Sequence, residues 1–128
     1  MLIQARPEWQ VIAEASEGSE AVQKAGELKP DLILLDIGLP KLNGIEAARQ
    51  MRQLSPGSKI IFVSQNNDLD VVRAALGTGA LGFVLKMDVG RELLSAMDAV
   101  LRDDQFVSSN LEYYESADTS RREKPSLP

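Results

Sequence analysis

Apolar residues follow two rhythms along the chain. Short continuous apolar runs at residues 32–35, 60–63 and 81–85 predict strands buried on both faces, as in the middle of a parallel sheet. Between and after them the apolar positions recur at helical spacing. Ala21, Val22, Ala25 and Leu28 form one stripe; Ile45, Ala48, Met51 and Leu54 form a second. Leu69, Val72, Ala75 and Leu76 form a third, and Leu93, Leu94, Met97, Val100 and Leu101 a last one. Each stripe predicts an amphipathic helix with one face toward a core. The breaks fall where backbone chemistry puts them, at Pro30, at Ser55, Pro56 and Gly57, and at Gly77 and Gly79. Residues 9–15 (WQVIAEA) predict one more short strand, closed by the Ser16, Glu17, Gly18 turn. Residues 1–8 contain Pro7 and match no complete element.

Strand and helix alternate strictly, which predicts an α/β fold: a doubly wound parallel sheet with right-handed crossovers and helices on both faces. The chain of 128 residues suits one domain, placed here at residues 1–109. Residues 110–128 are rich in Glu, Ser, Arg and Pro and predict a disordered tail or linker, too short to be an output domain.

Composition narrows the chemistry. A net charge of -5 provides no broad positive field, so direct nucleic-acid binding is not expected. With no cysteine and no histidine, disulfides, thiol metal sites and the commonest general base are excluded. No apolar stretch approaches the roughly 18 residues of a membrane span, and no signal peptide is evident, which predicts a cytoplasmic protein without membrane contact.

The three central strands each close on a polar residue: Asp36, Ser64 and Lys86. In a parallel sheet these ends line one edge, where ligands bind. A carboxylate, a hydroxyl and an ammonium around one crevice suit phosphoryl chemistry, because the carboxylate can accept the group while the others neutralise its oxygens. Singly, each has a plainer reading. Asp36 can be an ordinary strand-end acid, Ser64 a turn cap, Lys86 a solvated lysine, and Phe83 simple core packing. Gly77, Gly79 and Gly82 match the dinucleotide pattern GxGxxG, but they follow a helix and enter a strand, the reverse of what pyrophosphate binding needs.

PDLILLDIGLP followed by NG, then IIFVS, then GALGFVLK, in this order and spacing, resembles the receiver domain of two-component response regulators, of the type usually linked to a LuxR-like helix-turn-helix. The resemblance covers about residues 8 to 108. It implies a flavodoxin-like fold and a signalling role rather than an enzyme's. It also implies Asp36 as phosphoacceptor, Ser64 as switch hydroxyl, Phe83 as switch aromatic and Lys86 as the phosphoryl-binding lysine. Magnesium would be held by Asp36 and the backbone carbonyl of Gly38, Pro40 and Gly44 would shape the pocket, and a histidine kinase would be the partner.

The chain also departs from the family. Receiver domains begin with a central strand ending in two metal-binding acids, and residues 1–8 resemble instead the tail of the first helix. The expectation is a domain incomplete at its N-terminus, with an incomplete metal site and impaired phosphorylation. Gln65, where a small residue is common, is long enough to crowd the pocket. An open sheet and an uncovered stripe around Leu93, Met97 and Val100 predict a homodimer. The alternative is a phosphorylation-independent interaction or dimerisation module on the same scaffold.

Overall fold

The computed structural model describes residues 12–38 and 42–111. Helix α1 (Gly18–Leu28) leads to strand β1 (Leu32–Asp36), followed by α2 (Gly44–Leu54), β2 (Lys59–Ser64), α3 (Leu69–Leu76) and β3 (Gly82–Leu85). A 3-10 turn (Lys86–Asp88) opens into α4 (Val89–Leu101), and a short β4 (Phe106–Val107) and a second 3-10 turn (Ser109–Leu111) complete the order. The strands lie β1-β2-β3-β4, all parallel.

Side-chain alternation assigns the two faces. Ile33, Leu35, Ile60, Phe62, Phe83 and Leu85 point to the side covered by α1, α2 and α3. Leu32, Leu34, Ile61 and Val84 point to the side covered by α4. The helices start where capping groups are available: the Asn43 side chain accepts the Glu46 N–H at 2.9 Å, and Asp68 accepts that of Asp70 at 2.8 Å. Gly77 does cap α3, but the left-handed turn belongs to Gly79, at φ +100. An alanine there would also meet the Arg52 guanidinium.

Four expectations need correction. Residues 12–15 form no strand, and Ile12 is 54% exposed; residues 9–11 of that expected strand lie outside the described residues. Strand β1 is consequently not in the middle of the described sheet. Among the described residues it pairs only with β2, and Leu32, Ile33 and Leu34 are half-buried. A groove of about 790 Å³ runs beside it, with Ala13 and Ala15 on one wall and Leu34, Asp36, Lys86 and Met97 among the others. The stripe Leu93, Met97 and Val100 is not uncovered, since it packs on Ile61 and Val84 and is at most 4% exposed. Finally, Asn110 and Leu111 belong to the fold rather than to a tail, because Leu111 is buried in the core of the three-helix face. The rest of the expected tail lies outside the described residues.

Candidate functional site

The strand ends are staggered. Asp36 pairs with Val63 and Ser64 with Leu85, which leaves Lys86 one residue beyond β3. The stagger delivers the lysine to the acid: Lys86 Nζ lies 2.7 Å from Asp36 Oδ2. The other oxygen, Oδ1, accepts the Gly38 N–H at 2.8 Å. Both charged side chains are about two-fifths exposed (39% and 40%), so the pair contributes at most about 1 kcal/mol to stability. Its importance is chemical, since it fixes an anionic oxygen beside a cation at the sheet edge.

Ser64 is buried at 3% exposure, and its Oγ accepts the Asn66 N–H at 2.9 Å. Asn66 Oδ1 in turn accepts the Asp68 N–H, and Asp68 Oδ1 that of Asp70. The turn-capping reading of Ser64 therefore holds in this state, though a hydroxyl that accepts one bond keeps a proton to donate. Phe83 is fully buried, its ring 6.5 Å from that of Phe62 and tilted by 40°. Gly44 is buried against the exit of β1, and its N–H donates to the Ile37 carbonyl at 2.9 Å. Pro40 lies outside the described residues. Gln65 is exposed at the rim, and Met87 beside Lys86 is 77% exposed.

Magnesium prefers octahedral oxygen ligands and one or two carboxylates. Among the described residues, no group of three or more acids, histidines or cysteines is placed to hold a metal ion. Asp36 is moreover already opposed by an ammonium. The described residues alone do not fit a magnesium site.

One polar cluster went unread in the sequence. Asp88 is fully buried two residues after Lys86, and its carboxylate receives the Ser108 hydroxyl, Asn110 Nδ2 at 2.7 Å and an Arg91 guanidinium nitrogen at 2.7 Å. Ser108 Oγ also lies 3.1 Å from Glu92 Oε1, which accepts the Ser109 N–H at 3.0 Å. The Ser108 hydroxyl, with Arg91 and Asn110, holds the Asp88 carboxyl below the usual carboxylate range although burial acts the other way. Glu92 is raised by burial, but hydrogen bonds from Ser109 and Ser108 outweigh that and leave it lowered. The available signal was a polar residue, Ser108, directly after the apolar pair Phe106 and Val107.

The parallel sheet, with helices on both faces and an acid, a buried hydroxyl and a lysine at its carboxyl edge, is a doubly wound fold of the flavodoxin-like kind. Comparison with known proteins gives the family: residues 2–98 match the response regulator receiver domain, and the chain belongs to that family. The chain is similar to the transcriptional regulatory protein DegU of Brevibacillus brevis, 36% identical over 79% of this chain and 43% of that one. It is also similar to the chemotaxis protein CheY of Thermotoga maritima, 36% identical over 72% of this chain and 77% of that one. Among solved structures, a LuxR-family two-component response regulator from Aurantimonas sp. SI85-9A1 superposes with a TM-score of 0.84 at 29% identity, over 91% of this chain and 84% of that one. The chain spans about half the length of most of the curated relatives it matches. It is a receiver domain of the two-component signalling type, a family that generally binds magnesium at its acidic site and can dimerise. No helix among the described residues is long and apolar enough to cross a membrane.

Proposed function

We propose that Asp36 accepts a phosphoryl group from a histidine kinase. The observation that carries this reading is the contact between Asp36 Oδ2 and Lys86 Nζ at the carboxyl edge of the sheet. An Asp36 oxygen attacks phosphorus and forms the O–P bond of a mixed anhydride. The P–N bond to the donor histidine breaks, and its electron pair returns to the imidazole. Lys86 neutralises the added phosphoryl charge, and Ser64 turns its O–H toward one of the oxygens. Phe83 is the aromatic that repacks in response. The chain acts as a cytoplasmic signalling module, neither an enzyme nor a nucleic-acid binder in its own right.

Among the described residues Asp36 and the Gly38 carbonyl are too few to hold magnesium, and phosphorylation that relies on these residues alone is impaired. That shortage of carboxylates among the described residues favours the second reading, an interaction module that works without phosphorylation. Beryllofluoride with millimolar magnesium separates the two. A saturable change in the amide spectrum that disappears in Asp36→Asn supports phosphoryl acceptance; a spectrum that never moves supports the interaction module.

Among the described residues one edge of β1 has no strand partner, and that edge with the groove beside it favours pairing with a second copy of the chain. Light scattering should give the mass of a dimer, and a monodisperse, folded monomer would overturn this.

A further inference from the structure

The turn that carries Lys86 is fastened at both ends. At one end, Lys86 Nζ holds Asp36 Oδ2 at 2.7 Å. At the other, two residues later, the fully buried Asp88 carboxylate is bonded to Ser108, Asn110 and Arg91. The Val89 N–H bonds back to the Lys86 carbonyl and closes the turn, so the two anchors share one rigid 3-10 unit. Ser108 and Asn110 are the residues by which the chain leaves β4. Glu92, on the first turn of α4, accepts the Ser109 N–H and ties the same exit to the helix.

We propose that Asp88 is a positioning residue that couples the Lys86–Asp36 contact to the exit segment Ser108–Leu111. The Asp88 carboxylate and Ser108 are both buried, so a shift of Asp88 that drops the Ser108 bond leaves a buried carboxylate oxygen without the donor it holds. When Lys86 is drawn toward or released from the strand edge, the turn moves as a unit. It then carries Ser108 and Asn110 with it, or strains them. The state of the pocket is thereby transmitted to the residues that lead toward the C-terminal segment. The lowered pKa of Asp88 agrees with a carboxylate held ionised by these donors. Energetic coupling through a contiguous hydrogen-bonded unit is the kind that a double-mutant cycle measures.

The cycle uses amide exchange at Ser109 and Leu111, whose N–H groups bond to Glu92 Oε1 and to the Ser108 carbonyl. In the wild-type background, Lys86→Met should accelerate their exchange by about three- to tenfold, and Asp36→Ala should do the same because it cuts the same link. In an Asp88→Ala background, the same Lys86→Met change should add nothing. Asn110→Ala, which removes one rim partner and leaves the core intact, provides a second background and should weaken the coupling if Asp88→Ala fails to fold. Asp88→Asn, which preserves the shape but offers these donors one acceptor oxygen in place of two, should restore part of it. Exchange that is indifferent to Lys86, or a Lys86 effect of equal size with and without Asp88, would overturn the proposal. No phosphoryl group enters the measurement, so its outcome is independent of whether Asp36 is phosphorylated.

Discussion

Replacing Phe62 by alanine should lower the unfolding free energy by about 3–5 kcal/mol, a large share of the roughly 5–15 kcal/mol that holds a typical domain. Phe62 stands in a row across the sheet in which Leu35, Phe62, Phe83 and Val107 are in register, one from each strand. All four are buried, at 2%, 0%, 0% and 7% exposure, under the three-helix face. The strands on either side of Phe62 are held by ladder hydrogen bonds and cannot close inward, so the space vacated by the ring persists as a cavity. Phe83 in addition loses its tilted ring partner. Urea unfolding of the two proteins checks this. The midpoint should fall with the slope unchanged, as a loss of packing without a change in compactness requires. A loss below about 1 kcal/mol would mean that the helices collapse into the gap and that the row is not the keystone of this face.

Gly44→Ala should destabilise the domain by about 1–3 kcal/mol or more, although helix propensity alone predicts the opposite sign. Gly44 opens α2, where alanine normally gains roughly 0.5–1 kcal/mol over glycine. Here a Cβ would lie 2.6 Å from the Asp36 carbonyl oxygen and 2.7 Å from the Ile37 Cα. Both are backbone atoms just past the strand, so no side-chain rotation relieves the overlap. Either α2 moves off the sheet or the chain after Asp36 is displaced, taking with it the Gly38 N–H that holds Oδ1. For a domain of this size the melting temperature should fall by roughly 5–20 °C. A thermal scan in which Gly44→Ala melts higher than the wild type would show that propensity, not contact, governs the position.

The strands that form the site were legible because burial on both faces leaves a local mark, an unbroken apolar run ending in one polar residue. Asp36, Ser64 and Lys86 were found this way, and the sheet brings Lys86 onto Asp36 as their stagger requires. Residues 9–15 carry a passable strand pattern, but a strand exists only by pairing, and pairing is not written into seven residues. Described residues 12–15 accordingly run irregular and largely exposed. Strand β4 has two residues, Phe106 and Val107, too few to show any period. The stripe of α4 was read correctly as apolar but assigned the wrong cover, since periodicity reveals which face is buried and not what buries it. Asp88 was illegible for a related reason. Its partners Ser108 and Asn110 lie 20 and 22 positions away, and nothing local distinguishes a buried, bonded aspartate from a solvated one.

The strand order also bears on how the molecule forms. Because β1, β2, β3 and β4 are neighbours in the order in which they are made, each new strand docks on the one just completed. Every pairing closes a loop of only roughly two dozen residues, and its entropic cost grows slowly with length. No pairing among the described strands waits for a distant segment. The sheet can therefore assemble in chain order, one βα unit at a time, with a contact order low for an all-parallel architecture.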